Sequence, residues 1–119
     1  MAEETKTIPV EFAFARAAEA TPVTPEPGVI RRLGAYNEKF LLVQNQLAKD
    51  WVGTAHSHPH DQAVYVVSGR IRVVCAGETV ELCGGDSFVV AGGVVHQVTA
   101  LEDSAAVDLF APCRQEFLT

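Results

Sequence analysis

The chain has 119 residues, the size of one domain with one modest core. Hydrophobic residues make up 48% of it and charged residues 20%, as in a folded globular protein. The formal net charge of −6 argues against nucleic-acid and anionic-membrane partners, because both bind basic surfaces. No run approaches the roughly 20 apolar residues of a membrane span, and the acidic start does not resemble a secretory signal.

Three cysteines, Cys75, Cys83 and Cys113, are odd in number and show no CxxC spacing. This pattern does not favour a disulfide framework, and it is typical of reduced thiols inside cells. We therefore predict a cytoplasmic protein.

The first 28 residues are predicted to form an extended arm, followed by a barrel over residues 29–119. Val10–Ala17 alternates well enough for a short strand that carries two phenylalanines, Phe12 and Phe14, on one face. Thr21–Gly28 holds three prolines and a glycine, which indicates an extended connector. Two phenylalanines on one face must cover apolar surface, and we expect a barrel edge of the same subunit or of a dimer partner.

From Val29 onward the sequence predicts one strand after another. Runs rich in β-branched residues alternate with turn signals such as Ser68-Gly69 and Gly84-Gly85-Asp86. The predicted strands are Val29–Leu33, Lys39–Leu47, Thr54–His58, Ala63–Ser68, Arg70–Ala76, Glu78–Leu82, Ser87–Val90, Val95–Ala100 and Ala105–Phe110. Many short strands at close spacing predict an all-β sandwich or barrel.

Histidines and one glutamine form a candidate metal site. His56 and His58 are two residues apart, so on a strand both imidazoles face the same side. Gln62 opens the next predicted strand, and His96 lies on a separate, later strand. Three imidazoles and one side-chain oxygen suit zinc, nickel, iron, manganese or copper, and the lack of a thiolate favours a catalytic site. The alternative is that these histidines are exposed or packed in the core.

Two stretches around these residues resemble the two motifs of the cupin family. Gly53–Gln62 reads GTAHSHPHDQ and is followed by Gly69, as in the first motif; Gly85–His96 reads GDSFVVAGGVVH, as in the second. Gln62 stands where the first motif usually has glutamate, and Ala91 where the second usually has proline. The resemblance implies a cupin fold, which is a double-stranded β-helix or jelly-roll barrel. It also implies one divalent metal ion (Zn, Ni, Mn or Fe) held by His56, His58, Gln62 and His96.

The glutamine at position 62 changes the expected electrostatics of this site. A carboxylate ligand would cancel one positive charge of the ion, whereas a neutral amide leaves the full charge to polarise a bound oxygen. Gln62 therefore favours Lewis-acid chemistry over an obligatory redox role. The alternative is that Gln62 does not bind and water takes its position.

The tail supports a narrower resemblance. Val107–Leu118 reads VDLFAPCRQEFL, and together with Arg32-Leu33-Gly34 and the first motif it is similar to the KdgF-type cupins of pectin and alginate breakdown. Those proteins linearise 4,5-unsaturated monouronates. The resemblance implies a metal-dependent enzyme that opens the ring of a small anionic sugar acid and ketonises the product.

The same resemblance assigns roles to the residues of the tail. It implies Asp108 as the acid/base and Phe110 as an apolar wall. Arg114 is expected to act in catalysis as the clamp on the substrate carboxylate, because its planar fork matches a carboxylate bidentately. His60 follows Pro59 and is expected to point away from His56 and His58; it is a candidate substrate-binding residue, with solvent exposure as the alternative. The alternatives are a surface carboxylate for Asp108, an ion pair with Glu116 for Arg114, and core packing for Phe110.

Two other functions are compatible with these patterns. One is a metal-dependent dioxygenase of the cupin superfamily, and the other is a non-catalytic barrel that binds a small ligand. Whichever function applies, we expect a homodimer.

Overall fold

The computed structural model of the protein describes residues 11–118, which form two antiparallel β-sheets. The strands in chain order are β1 Val23–Glu26, β2 Val29–Tyr36, β3 Leu41–Leu47, β4 Asp61–Ser68, β5 Arg70–Cys75, β6 Glu78–Cys83, β7 Ser87–Val90, β8 His96–Ala100 and β9 Ser104–Ala111. Short 3₁₀ turns occupy Ala17–Glu19 and Gln115–Leu118, and residues 11–118 contain no α-helix. Within this range no helix could therefore cross a membrane.

The strands are arranged in one large and one small sheet. The six-stranded sheet has the order β1-β2-β3-β9-β4-β7, and the three-stranded sheet has the order β6-β5-β8. Two of the two-residue connections are hairpins, one between β1 and β2 and one between β5 and β6. In the second, Ala76 and Gly77 have positive φ angles of 51° and 79°, as such a turn requires. Hairpins of this kind place consecutive strands side by side, but they do not predict that β9 lies between β3 and β4.

The core consists of two clusters at different levels between the sheets. The inward side chains of β3 are Leu41, Val43, Asn45 and Leu47, in keeping with the two-residue period of a strand. Leu41 and Val43 belong to one cluster and Leu47 to the other. Asn45 therefore falls at the level between two apolar clusters, and a polar side chain there needs partners.

Eight of the nine predicted strands are present, and the strand over Thr54–His58 is wrong. In this segment His56 alone forms a bridge, in which its N–H and C=O pair with the C=O and N–H of His96 at 3.0 and 2.9 Å. Pro59 has no N–H and cannot extend such a ladder. The bridge nevertheless sets two of the predicted metal ligands directly opposite each other.

The arm differs from its prediction. Val10 lies outside the described residues, and residues 11–16 form no strand. Phe12 and Phe14 are 81% and 64% exposed and contact each other at a centroid distance of 6.1 Å. The connector over Thr21–Gly28 is not merely extended, because β1 pairs with β2 and becomes the edge of the large sheet. Part of this segment is therefore a paired strand of the sheet, whereas the prolines had indicated an extended connector.

Gly69 joins β4 of the large sheet to β5 of the small one, and we expect Gly69→Ala to destabilise the fold strongly. Its φ is +87°, and a Cβ there would collide with the backbone of Asp103 and with Ser104. Gly77 has a similar φ of +79° but open space around it, so Gly77→Ala is the matched control. The control should cost about 1–2 kcal/mol for the left-handed backbone alone. Gly69→Ala should cost at least about 2 kcal/mol more, measured by denaturant unfolding, and equal losses would contradict the collision.

Candidate functional site

A cavity of about 330 Å³ opens between the two sheets. Its volume suits a small-molecule ligand, since ligand pockets begin near about 300 Å³. The polar and charged side chains that line it are those of Glu26, Arg31, Asn45, Thr54, His56, Gln62, His96, Asp108 and Arg114. The apolar lining includes Trp51, Phe88, Phe110 and Phe117. Six of the eight predicted site residues therefore share one cavity, and the other two, His58 and His60, do not line it.

The structure brings the three predicted histidine ligands together. His56 comes from the segment before β4, His58 follows it, and His96 begins β8. One nitrogen of each ring lies within 4.8 Å of the corresponding nitrogens of the other two. The ring centroids of His56 and His96 are 4.6 Å apart, and those of His58 and His96 are 5.1 Å apart. These three side chains form a candidate metal site.

Backbone carbonyls fix the orientation of all three rings. Each Nδ1 lies 2.9–3.0 Å from a carbonyl oxygen, so Nδ1 carries the proton and Nε2 keeps its lone pair. The three carbonyls belong to Thr54, His60 and Val94. Burial lowers the pKa of His58 and of His96, which favours the neutral imidazole that a metal requires. Outer hydrogen bonds of this kind are typical of metal-bound histidines.

Gln62 points its amide oxygen at the same place. Its Nε2 donates to Oδ2 of Asp108 at 3.0 Å, and its Oε1 lies 2.9 Å from Nε2 of His58. With the His58 proton on Nδ1, two lone pairs face each other across that short distance. Nε2 of His96 is buried and has no hydrogen-bond partner within residues 11–118. A divalent cation would satisfy all three atoms at once, so this donor set fits a metal ion.

Asp108 is held inside the barrel next to this donor set. Burial raises the pKa of Asp108 to about 6, although hydrogen bonds from Gln62 and Asn45 and the charges of Arg31 and Arg114 oppose the shift. A carboxyl group that ionises near neutral pH can both give and take a proton. The alternative of a turn or surface carboxylate is therefore wrong, since Asp108 lies in β9 and lines the cavity.

Phe110 and Arg114 form part of the cavity wall, and both also make protein contacts. Phe110 is 2% exposed and packs edge-on against the rings of His58 and Phe117. Nε of Arg114 donates to Glu116 at 2.8 Å, so the predicted alternative of an ion pair is present. The Arg114 side chain is nevertheless only 17% exposed and faces the cavity. Core packing and cavity lining thus coexist in both residues.

His60 and three unpredicted residues complete the description. The His60 backbone carbonyl orients His58, while its own ring lies 6.4 Å from that of Phe110, behind the cavity wall. Arg31, Asn45 and Phe117 line the cavity and were missed in the sequence. A signal for Asn45 was present, because it is a polar residue at an inward position of an otherwise apolar strand. Phe117 belongs to the tail stretch that resembles KdgF-type cupins, but the resemblance assigned no role to it.

The chain matches a known family in sequence and in fold. The family model for the Cupin domain matches residues 45–111, more than half of the chain. The chain therefore belongs to the cupin domain family, and the all-β barrel predicted from the two motifs is confirmed.

Within this family the chain resembles KdgF proteins, as its tail predicted. It is 36% identical over 93 residues to the pectin degradation protein KdgF of Dickeya dadantii strain 3937, covering 76% of this chain and 84% of that one. The solved structure of KdgF from Halomonas sp. is 37% identical and superposes with a TM-score of 0.83 over 87% of this chain and 96% of that one. An RmlC-like cupin from Shewanella frigidimarina NCIMB 400 has the same TM-score at 29% identity, over 87% and 94% of the two chains.

We expect His96→Ala to abolish stoichiometric metal binding. The substitution removes a ligand atom from a cluster of three imidazoles, and changes to outer residues alone weaken metal binding by about 10–100-fold. The loss here should exceed about 100-fold, measured by titration calorimetry with Zn²⁺ and Ni²⁺. His60→Ala is the matched control, because it keeps the backbone carbonyl that orients His58. Full metal occupancy in His96→Ala would contradict the site.

Proposed function

We propose that this protein is a metal-dependent enzyme that linearises 4,5-unsaturated monouronates, or a closely related sugar acid, by ring opening and ketonisation. The observation that carries the proposal is one cavity lined by three of the four candidate metal ligands, a buried carboxyl group and an arginine. The similarity to KdgF proteins, one of them named for pectin degradation, supports it.

The reaction is an isomerisation and requires no oxidant. The anomeric hydroxyl loses its proton, the bond between C1 and the ring oxygen breaks, and an aldehyde forms at C1. The ring oxygen remains on C5 as an enol, which becomes a ketone when C4 gains a proton and the enol hydroxyl loses one. The net change is the transfer of a proton from oxygen to C4, so the protein must supply an acid/base group beside the ring.

Asp108 is suited to that proton transfer. A carboxyl group with a pKa of about 6 is partly protonated near neutral pH, so it can accept a proton from oxygen and deliver one to carbon. Its hydrogen bond with Gln62 holds the carboxyl group in place at the cavity wall. Phe110 supplies an apolar wall that limits access of water to the enol.

Arg114 is proposed to orient the substrate by its carboxylate. The ion pair with Glu116 engages Nε, and the guanidinium also lies over the rings of Phe110 and Phe117. A guanidinium group can bind both oxygens of a carboxylate at once and so fix its orientation, which a single point charge cannot do.

The ligands proposed for a divalent ion (Zn, Ni, Mn or Fe) are His56, His58, Gln62 and His96. Such an ion supplies Lewis-acid polarisation of a substrate oxygen when bound. His60 is proposed only as support for this shell, through its carbonyl contact with His58.

The direct test is to follow the absorbance of the conjugated double bond of 4,5-unsaturated galacturonate with purified protein whose metal content is known. Loss of absorbance without oxygen uptake, abolished by a chelator and restored by metal, is expected. Oxygen consumption in step with product would favour the dioxygenase instead. Unchanged substrate with measurable binding would favour a ligand-binding barrel.

We expect Asp108→Asn to reduce turnover by about 10²–10⁴-fold, the usual contribution of a general acid/base. Asparagine keeps an oxygen that accepts the Gln62 hydrogen bond, so metal content should be unchanged. The rate of absorbance loss and the metal stoichiometry are measured together. Asp50→Asn is the control, because Asp50 is exposed and its φ of 74° suits asparagine. A variant at position 108 as active as the parent would refute the assignment.

We also propose a cytoplasmic homodimer that pairs through the outer face of the large sheet. Leu42, Leu109, Ala63 and Val89 lie in one row across β3, β9, β4 and β7 on this face. Val89 in this row is 78% exposed. A row of apolar side chains on an exposed face indicates a protein interface. The three free cysteines fit a reducing compartment.

Val89→Lys should convert such a dimer into a monomer, because a charge would be buried in the apolar row. Molar mass by light scattering is the measurement. Val80→Lys, on the exposed face of β6 in the small sheet, is the control and should stay dimeric. A monomeric parent would contradict the proposed dimer.

A further inference from the structure

We propose that Arg31 is a second cation of the carboxylate subsite and that it holds the substrate carboxylate together with Arg114. The inference deepens the proposed function and rests on it for the identity of the substrate. It adds a residue that neither the motifs nor the tail pattern indicated.

The backbone of β2 aims Arg31 into the cavity. Arg31 follows the buried Val29 by two residues, so both side chains point to the same face of the strand. Its cross-strand partner is Asn45, which also points inward. Both side chains line the cavity that contains Asp108 and the histidine cluster.

Arg31 and Asn45 each present an unsatisfied polar atom there. Nε of Arg31 and Oδ1 of Asn45 are buried and lack hydrogen-bond partners within residues 11–118. No carboxylate of the described residues lies within ion-pair distance of the Arg31 guanidinium. An unpaired buried donor costs about 1–3 kcal/mol, and more when it is charged. An anion that binds beside it would recover that cost, and the adjacent Asn45 oxygen could accept from a sugar hydroxyl.

Phe117 holds the two arginines close to each other. The guanidinium carbon of Arg31 lies 4.0 Å from the centre of the Phe117 ring, and that of Arg114 lies 4.4 Å from it. Each contact is in the range of a cation–π interaction. Burial lowers the pKa of Arg31, and repulsion by the like charge of Arg114 lowers it further. The two cations therefore lie against one aromatic ring, and an anion bound between them would offset their mutual repulsion.

Charge balance in the cavity favours the same conclusion. The carboxylates that line it are Glu26 and Asp108, and the cations are Arg31 and Arg114. Glu116 already pairs with Arg114, and Glu26 accepts a hydrogen bond from Trp51. Without Arg31, an anionic substrate beside Asp108 would meet an excess of negative protein charge. Arg31 offsets that repulsion.

The test compares two sugars that differ in charge at C6, D-galacturonate and D-galactose, with the metal-loaded protein. Titration calorimetry measures the Kd of both for the parent, Arg31→Gln, Arg31→Lys and Arg32→Gln. We expect Arg31→Gln to weaken galacturonate binding at least tenfold and to leave galactose binding unchanged. Arg31→Lys should fall between, because it keeps the charge but lacks the fork. Arg32 precedes Leu33 on the opposite face of β2 and does not line the cavity, so its variant should match the parent.

The outcomes separate this proposal from the proposed function. Galacturonate binding within twofold of the parent in Arg31→Gln, or equal loss for both sugars, would overturn the role of Arg31. A parent that does not prefer galacturonate to galactose would overturn it as well. A parent that prefers galacturonate but never consumes the unsaturated uronate would refute the enzyme and leave the subsite standing. Thermal unfolding of each variant shows whether it is folded. If Arg31→Gln does not fold, the same comparison of the two sugars is made with Arg31→Lys.

Discussion

The hydrogen bond from Gln62 to Asp108 is the interaction on which the rest of the site depends. It joins the candidate metal shell to the proposed acid/base group through one amide, with the nitrogen on the carboxylate and the oxygen toward His58. An amide has one donor end and one acceptor end, so fixing the nitrogen also fixes the oxygen. A glutamate at this position would place a second carboxylate against Asp108. The neutral residue avoids that repulsion, and it would leave the full positive charge on a metal ion bound there.

The barrel supplies the rigidity that this arrangement needs. The polar positions Asn45, Gln62 and Asp108 lie on β3, β4 and β9, which pair side by side in the middle of the large sheet. Apolar side chains are their neighbours across the sheet, since Asp108 is the register partner of Val43 and Gln62 that of Phe110. Close packing of these neighbours leaves the polar side chains few alternative rotamers. The same packing desolvates Asp108, and this is the cause of its raised pKa.

The electrostatics of the cavity depend on elements that are distant in sequence. Arg31 comes from β2, Arg114 follows β9, and the ring of Phe117 in the last 3₁₀ turn contacts both. The carboxylates that line the same cavity, Glu26 and Asp108, come from β1 and β9. Two formal positive and two formal negative side chains therefore line the cavity. A balanced lining of this kind suits the proposed binding of a cation and an anionic substrate in one cavity.

By itself the sequence determined the fold family, the strand-rich pattern and the identity of six residues that line the cavity, because these depend on local periodicity and on motif spacing. His56, His58, Gln62 and His96 followed from that spacing, and Asp108 and Arg114 from the tail. Only the tertiary structure decided what these residues contact. The irregular segment before β4 places His56 opposite His96, and the insertion of β9 between β3 and β4 brings Asp108 to Gln62. Arg31 and Phe117 meet across 86 residues, a contact that no local pattern encodes, because strand order and the path of the tail set it.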